Sequence, residues 1–334
     1  MVTFRSGDTL PACLAALQAA APMGTELLVV DNAADATVVE LVERTWAGAC
    51  VQVNSVNRGF AAAVNQALRR ARGDAILLLN PDAVIEPATI GTLRAALAAL
   101  PMAGIVAPRL LSPAGEPLVS GYPFLTLGTV IWRHFQLVRV FPNAQLGRYR
   151  QRTLAGGAPF RVDWAQGACL LVRRAVFEQL GQFDADFFFY AEEVDFMRRA
   201  ARAGWSTYIV PAAVAHHAEG GSSSQVVPLK LASHYLSKVV YFEKHHAPPR
   251  RHMLRALLVG DLGLRILYRA YGILSGRPRD ARLRLVTYAR TARMLLASPT
   301  RTIVREWRSM GEGAATEQAT SGGTQRREPA RAAS

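Results

Sequence analysis

The chain has 334 residues, half of them hydrophobic, which is enough to bury a full-sized core and predicts one large domain with an appendage. Its formal charge of +14 is unevenly placed: residues 1–224 carry 19 basic and 18 acidic side chains, whereas residues 225–334 carry 20 and 7. No signal-peptide pattern is visible, and no run of about 20 uncharged apolar residues could cross a bilayer, the most apolar stretch (253–275) being interrupted by Arg255, Asp261, Arg265 and Arg269.

In chain order, Val2-Thr3-Phe4 reads as the end of a buried strand. It is shorter than parallel strands usually are, so the pattern predicts that the native chain begins upstream of Met1. A helix with Leu10, Cys13, Leu14 and Leu17 on one face follows, then an apolar run from Glu26 to Val30 that ends at Asp31-Asn32. A helix over 37–46 leads to a strand over 51–56, closed by Asn57-Arg58-Gly59, and to a helix carrying Phe60, Val64, Ala67 and Leu68. A further strand over 75–79 ends at Asn80-Pro81-Asp82 and precedes a helix through Leu93 and Leu97. Strands alternating with helices imply right-handed βαβ units: an α/β fold with a mostly parallel sheet flanked by helices. In such sheets ligands bind outside the carboxyl ends of the strands, where the three polar clusters stand.

Residues 109–160 lose any clean period and read as a binding loop. Regular patterns return at 162–174 and 183–190, then in a helix over 191–203 with Gly204 as its C-cap. Helices are expected near 229–246, 252–274 and 279–297. The domain expectation is a catalytic unit over 1–224, a basic amphipathic helical extension over 225–300, and a largely disordered tail over 301–334, whose last part is rich in Gly, Ala, Thr and Gln. Cys13, Cys50 and Cys169 are far apart, form no CxxC and sit in apolar surroundings, so they read as small core residues of a reducing compartment.

Asp82, held at a sheet edge, can bind a hard cation that neutralises a leaving diphosphate, or can cap a turn. Asp31 can accept a ring N–H of a pyrimidine base, or cap the following helix. Gly59 either lets a ligand approach the backbone closely or supplies a positive φ. Glu192-Glu193-Val194-Asp195 opens a helix after Phe187-Phe188-Phe189-Tyr190. Acids in a first turn are stabilised by the helix dipole, but aromatic neighbours can shield a carboxylate, raise its pKa towards that of a useful base, and stack on a sugar. His217, a potential cation ligand, precedes Gly220-Gly221-Ser222-Ser223.

Together these motifs resemble glycosyltransferase family 2, in its bacterial rhamnosyltransferase-like branch. The residues that carry the resemblance are Val2-Thr3-Phe4, Val29-Val30-Asp31-Asn32-Ala33, Asn57-Arg58-Gly59-Phe60-Ala61 with Asn65, and the stretch from Gly73 to Asp82. They continue through Gly167 to Arg174, Gly181-Gln182-Phe183-Asp184, Tyr190 to Asp195, Gly204-Trp205, and His217 with Gly220 and Ser222. The resemblance implies a GT-A fold. It places Thr3 and Asp31 at the nucleotide base with Asn57 and Gly59 nearby, and Asn80 and Asp82 in the DxD-type element, with Asp82 on the metal. Glu193 becomes the catalytic base, with Glu192 a rival because the family usually has Asp at the position of Glu193, and His217 assists at the metal or diphosphate.

The implied reaction is an inverting transfer assisted by Mg²⁺ or Mn²⁺, from a nucleotide sugar to a hydroxyl of a cell-surface glycan or lipid-linked saccharide. The resemblance favours dTDP-L-rhamnose; other UDP-, dTDP- or GDP-sugars, or an inactive glycan-binding scaffold, are the alternatives. No nucleic-acid fold accompanies the C-terminal charge, and no GxGxxG follows a strand. The Arg-bordered apolar stripes over 225–300 instead predict an anionic membrane surface as partner, on the cytoplasmic face.

Overall fold

Three short parallel strands begin the fold, each ending where an apolar run meets a polar turn. In the computed structural model, which describes residues 1–134, 147, 151–152, 154–155, 157–218, 227–274 and 280–321, they are β1 (Val2–Thr3), β2 (Leu28–Asp31) and β3 (Cys50–Val53). Helices α1 (Leu10–Ala20) and α2 (Ala36–Thr45) make the crossovers, and α3 (Phe60–Leu68) follows β3. The register sets Thr3 beside Asp31, and Asp31 beside Val53.

The rest of the domain comprises β4 (Ala75–Leu79), β5 (Ala83–Ile85), α4 (Thr89–Ala99), β6 (Ala103–Leu111), β7 (Gly121–Tyr122) and α5 (Leu127–His134). It continues with β8 (Phe160–Val162), β9 (Trp164–Ala165), β10 (Cys169–Arg173), α6 (Arg174–Leu180), α7 (Glu192–Arg202) and β11 (Ser206–His217). The larger sheet runs β4-β10-β6-β11-β5, with β8 also on β11, and within it only β6 and β11 pair in parallel. The α/β fold with helices on the sheet is as expected, but this sheet is mixed where a mostly parallel one was predicted. β10 returns after the long insertion and wedges antiparallel between β4 and β6 (Cys169 beside Leu79, Leu171 beside Val106), and β5 and β8 both pair antiparallel with β11. Alternation of strand and helix signals a crossover; a strand arriving from an irregular connection carries no such directional information.

The period of two along each strand divides the core. Val30, Leu78, Ile105 and Leu170 pack on one side, while their neighbours Val29, Leu79, Val106 and Leu171 pack on the other against Leu10, Leu14 and Leu93. Cys13 and Cys169 lie in this second layer, and burial pushes both thiols up to about 12, so they are packing residues. Cys50, on the edge strand β3, is only half-buried.

Among the described residues, four helices follow β11: α8 (Val227–His245), α9 (Pro248–Leu274), α10 (Asp280–Ala297) and α11 (Thr300–Ser321). Leu236, Val240, Tyr241 and Phe242 of α8 belong to the same apolar cluster as Phe187, Val194 and Phe196. The buried carboxylate of Asp195 takes Arg199 at 2.9 Å, Lys244 at 2.7 Å and His245 at 2.8 Å, tying α8 to α7. The expectation of a largely disordered tail from residue 301 is corrected: α11 runs to Ser321, Ile303 and Trp307 are fully buried, and Trp307 Nε1 donates to Ser233 Oγ at 2.8 Å. Composition described the polar end of that segment and missed the Ile303-Val304-Trp307 stripe at helical spacing. Residues 322–334 lie outside the described residues.

The apolar residues of the 252–274 helix divide between two environments. Leu254, Leu258 and Leu262 are buried among the C-terminal helices, whereas Leu264, Leu267, Tyr268 and Tyr271 are exposed, as are Leu283 and Val286 of α10. Among the described residues no helix is long and apolar enough to cross a membrane.

Candidate active site

A cavity of about 660 Å³ opens at the strand ends, where Asn57, Gly59, Asn80, Asp82, Glu192, Glu193 and His217 all line it. Of the site residues expected from the sequence, only Thr3 and Asp31 are not part of its wall, both being completely buried. The parallel register pairs them: Thr3 Oγ1 donates to Asp31 Oδ1 at 2.9 Å, while Oδ2 accepts from the backbone N–H groups of Asp35 at 2.8 Å and Ala33 at 3.3 Å. Burial raises the Asp31 carboxyl above its ordinary range, and these three hydrogen bonds oppose the rise. Its geometry is that of a residue holding the turn after β2, while its neighbour Asn32 faces the cavity.

Gly59 has φ +83°, and a Cβ there would stand 2.5 Å from the Phe188 carbonyl oxygen. Phe60 N donates to that same oxygen at 2.8 Å. The close approach at Gly59 is therefore to the chain itself, and it pins the aromatic run against the start of α3. Asn57 Oδ1 accepts from Gly59 N at 3.0 Å and Asn32 Nδ2 donates to Gly59 O at 3.2 Å, so two cavity-lining amides hold the loop in place.

The two-residue turn Pro81-Asp82 leads directly into β5, whose antiparallel register on β11 places His217 beside Ala83. His217 Nε2 thereby comes 3.3 Å from Asp82 Oδ1. Both side chains are almost fully buried, and neither ring nitrogen of His217 makes a hydrogen bond among the described residues. No cluster of three or more metal-ligating side chains occurs among those residues. A magnesium-type cation needs only one or two protein ligands, completing its shell with phosphate oxygens and water. One carboxylate next to one buried imidazole whose ring nitrogens make no hydrogen bond among the described residues fits that donor set. The glycine–serine stretch at 220–223 lies outside the described residues.

Opposite chemistry stands at the head of α7. Tyr190 (φ +72°) and Ala191 (φ +66°) are consecutive non-glycine residues in the left-handed region, each at a cost of about 1–2 kcal/mol. Such strain persists only where the surroundings enforce it, commonly at functional sites. Here the kink turns the chain from the aromatic run into α7 and brings Glu192 and Glu193 into the cavity. Glu192 is 5% exposed and its Oε2 has no hydrogen-bond partner among the described residues. Burial, and then the charge of Glu193, push its carboxyl well above the usual range. Glu193 is half-buried, its stem lying alongside Gly167.

Within the aromatic run, Phe187 is a core residue, whereas Phe189 and Tyr190 line the cavity. Sequence reading missed two further parts of the wall. Tyr122 and Trp164, from the paired strands β7 and β9, stack with ring centroids 4.6 Å apart; their pairing spans the irregular insertion and leaves no local signal. Lys230, His234 and Lys238 enter from α8, and their four-residue spacing was legible in the sequence but hidden within the general basicity of the C-terminal third.

Comparison with known proteins agrees with this arrangement. The model of the family described as "Glycosyltransferase like family 2" matches residues 1–235. The N-acetylglucosaminyl-diphospho-decaprenol L-rhamnosyltransferase of Mycobacterium tuberculosis is 32% identical over 279 residues, covering 79% of this chain and 89% of that protein. The low-salt glycan biosynthesis hexosyltransferase Agl10 of Haloferax volcanii is 29% identical over 150 residues, 44% of each chain. Among solved structures, a mannosyltransferase from Pyrobaculum calidifontis in complex with GDP-Man and Mn²⁺ superimposes with a TM-score of 0.50 at 18% identity, covering 98% of this chain and 86% of that one. The matched region takes in every cavity-lining residue of the first two-thirds of the chain and ends within α8: the chain belongs to glycosyltransferase-like family 2.

Proposed function

We propose that this protein transfers L-rhamnose from dTDP-L-rhamnose to a hydroxyl of a lipid-linked saccharide, with inversion at the anomeric carbon. The observation that carries the reading is the placement, in one cavity, of the Asp82–His217 pair and the Glu192–Glu193 pair. The acceptor class is taken from the mycobacterial relative, whose name specifies a diphosphate-linked acceptor and an L-rhamnosyl transfer.

Glu193 serves as the base. It takes the proton of the acceptor hydroxyl as that oxygen bonds to the anomeric carbon, and the bond from that carbon to the diphosphate oxygen breaks with its electron pair leaving on the nucleoside diphosphate. Glu192 lies beside it, its carboxyl pushed well above the usual range by burial. Asp82 and His217 would hold Mg²⁺ or Mn²⁺, as the Pyrobaculum neighbour holds Mn²⁺; when bound, the cation supplies positive charge against the departing diphosphate. Asn57, Gly59 and Asn80 form the wall at which the donor lies, with Thr3 and Asp31 shaping the turn beneath the base. The stacked rings of Tyr122 and Trp164 offer a platform for an acceptor sugar.

Leu264, Leu267, Tyr268 and Tyr271 of α9 and Leu283 and Val286 of α10 are exposed, with Arg265, Arg269, Arg282 and Arg290 close to them in sequence. Exposed apolar side chains interspersed with arginine suit peripheral docking on the anionic cytoplasmic face of the membrane, where a lipid-carried acceptor would reside.

A panel of nucleotide sugars scored by thermal shift with and without Mn²⁺, followed by product analysis with a lipid-linked acceptor, tests the assignment. Stabilisation by dTDP-L-rhamnose above other donors, and a rhamnosylated product, are expected. Preference for a UDP- or GDP-sugar would change the donor, and binding without turnover of any donor would reduce the protein to a glycan-binding scaffold.

A further inference from the structure

The cavity has two electrostatic halves. Its acidic side chains, Asp82, Glu192 and Glu193, come from the turn before β5 and from the head of α7; its lysines come solely from α8. Lys230, His234 and Lys238 recur every four residues, which stacks them along one face of a helix. That face is anchored next to the carboxylates, because the His234 ring stacks on Tyr190 with centroids 4.4 Å apart and planes at 15°, two residues before Glu192. Lys238 Nζ donates to the His234 carbonyl, which keeps its ammonium on the same face. Lys230 and Lys238 are half-buried and His234 is exposed.

The proposed reaction brings two diphosphates to this cavity: one on the nucleotide donor, and one joining the acceptor sugar to its lipid. Asp82 and His217 account for the first only. From the position and spacing of the α8 side chains we infer that Lys230, His234 and Lys238 form the subsite for the acceptor's diphosphate. Ammonium groups bind phosphate as point charges and tolerate variation in its orientation. A cationic face beside Glu193 would hold the diphosphate at the reducing end of the acceptor sugar while a hydroxyl of that sugar reaches the base. The inference rests on the lipid-linked acceptor of the proposed function, and it assigns α8 a recognition role in addition to its packing.

The test uses the full chain and two acceptors with the same N-acetylglucosaminyl group and the same short alkyl chain, one joined through diphosphate and one as the plain glycoside. In the double variant Lys230→Gln/Lys238→Gln, KM for the diphosphate acceptor should rise roughly ten- to hundredfold, as for lost hydrogen bonds to a charged group. The preference for the diphosphate acceptor over the glycoside should collapse, and its KM should lose most of its dependence on salt. A rise in donor KM instead would assign the face to the donor diphosphate, and equal KM shifts for both acceptors would make it merely structural; either overturns the inference. Calorimetric titration with an alkyl diphosphate lacking sugar provides a readout independent of turnover. Tighter binding to the wild type than to a variant of unchanged melting temperature is expected, and equal binding sinks the subsite. A wild type that binds the alkyl diphosphate yet transfers to neither acceptor would refute the acceptor reading and leave the subsite standing.

Discussion

His217 Nε2 lies 3.3 Å from Asp82 Oδ1 because β5 and β11, separated by some 120 residues of chain, pair antiparallel with His217 beside Ala83. If this pair holds a divalent cation, Asp82→Asn and His217→Ala should each abolish the part of nucleoside diphosphate affinity that depends on Mn²⁺, with little change in melting temperature. Calorimetry with and without EDTA measures it. Equal affinity in both conditions for the wild type would leave Asp82 a turn residue.

The two carboxylates opening α7 should behave unequally. Glu193→Gln should keep donor binding and lower turnover about 10²–10⁴-fold, the loss expected for a general base. Glu192→Gln should cost far less, since in this assignment its carboxyl takes no proton from the acceptor. The reverse ranking in single-turnover assays would move the base to Glu192.

Glu192 also predicts a pH effect on stability. Its folded pKa lies above the usual 4.5, so the folded protein retains a proton that the unfolded chain releases, and stability falls as pH rises from 4.5 through the folded value. Glu192→Gln removes this penalty. Denaturation curves should show the variant gaining on the wild type between acidic and neutral pH; a gap that does not change with pH would contradict the shift.

Asp195 has the opposite sign. Burial raises its carboxyl, but hydrogen bonds from His245 and Lys244 and the charges of Lys244 and Arg199 prevail and bring it down to about 2. Its stabilisation is complete above the ordinary 3.8 and is lost as pH falls towards about 2. Asp195→Asn should destabilise the protein by about 3–5 kcal/mol at neutral pH, because partner charges are left uncompensated at the α7–α8 junction. A loss under 1 kcal/mol in chemical denaturation (roughly the worth of an exposed pair) would show the cluster to be weakly coupled.

Ala191→Gly should relieve left-handed strain. Against a penalty of about 1–2 kcal/mol for the alanine stands the added chain entropy of glycine, about 0.5–1 kcal/mol, so a net gain near 0.5–1 kcal/mol is expected. The urea midpoint at unchanged slope reports it. A destabilised variant would mean that the kink depends on the alanine methyl.

For membrane docking, Leu264→Asp with Leu267→Asp should abolish sedimentation with anionic liposomes. Wild-type binding should require anionic lipid and weaken as salt rises. Point substitutions suit this test because truncation before α8 would remove Tyr241 and Phe242 from the core. Equal binding to neutral vesicles would rule out the electrostatic part of the docking.

The α/β class, most strand ends and the cavity-lining residues Asn57, Gly59, Asn80, Asp82, Glu192, Glu193 and His217 were legible in the sequence, because they belong to local patterns. Apolar runs of strand length ending in Asn57-Arg58-Gly59 or Asn80-Pro81-Asp82 need no tertiary information to be seen. Tertiary structure alone decided what depends on chain segments far apart. It set β10 antiparallel between β4 and β6, and turned Asp31 onto Thr3 and the Asp35 amide, away from the cavity. It gave Gly59 the carbonyl of Phe188 as neighbour, and buried Leu254, Leu258 and Trp307 while leaving Leu264 and Leu267 exposed. It also gave two adjacent glutamates of the same intrinsic pKa unequal surroundings, burying Glu192 and leaving Glu193 half-buried.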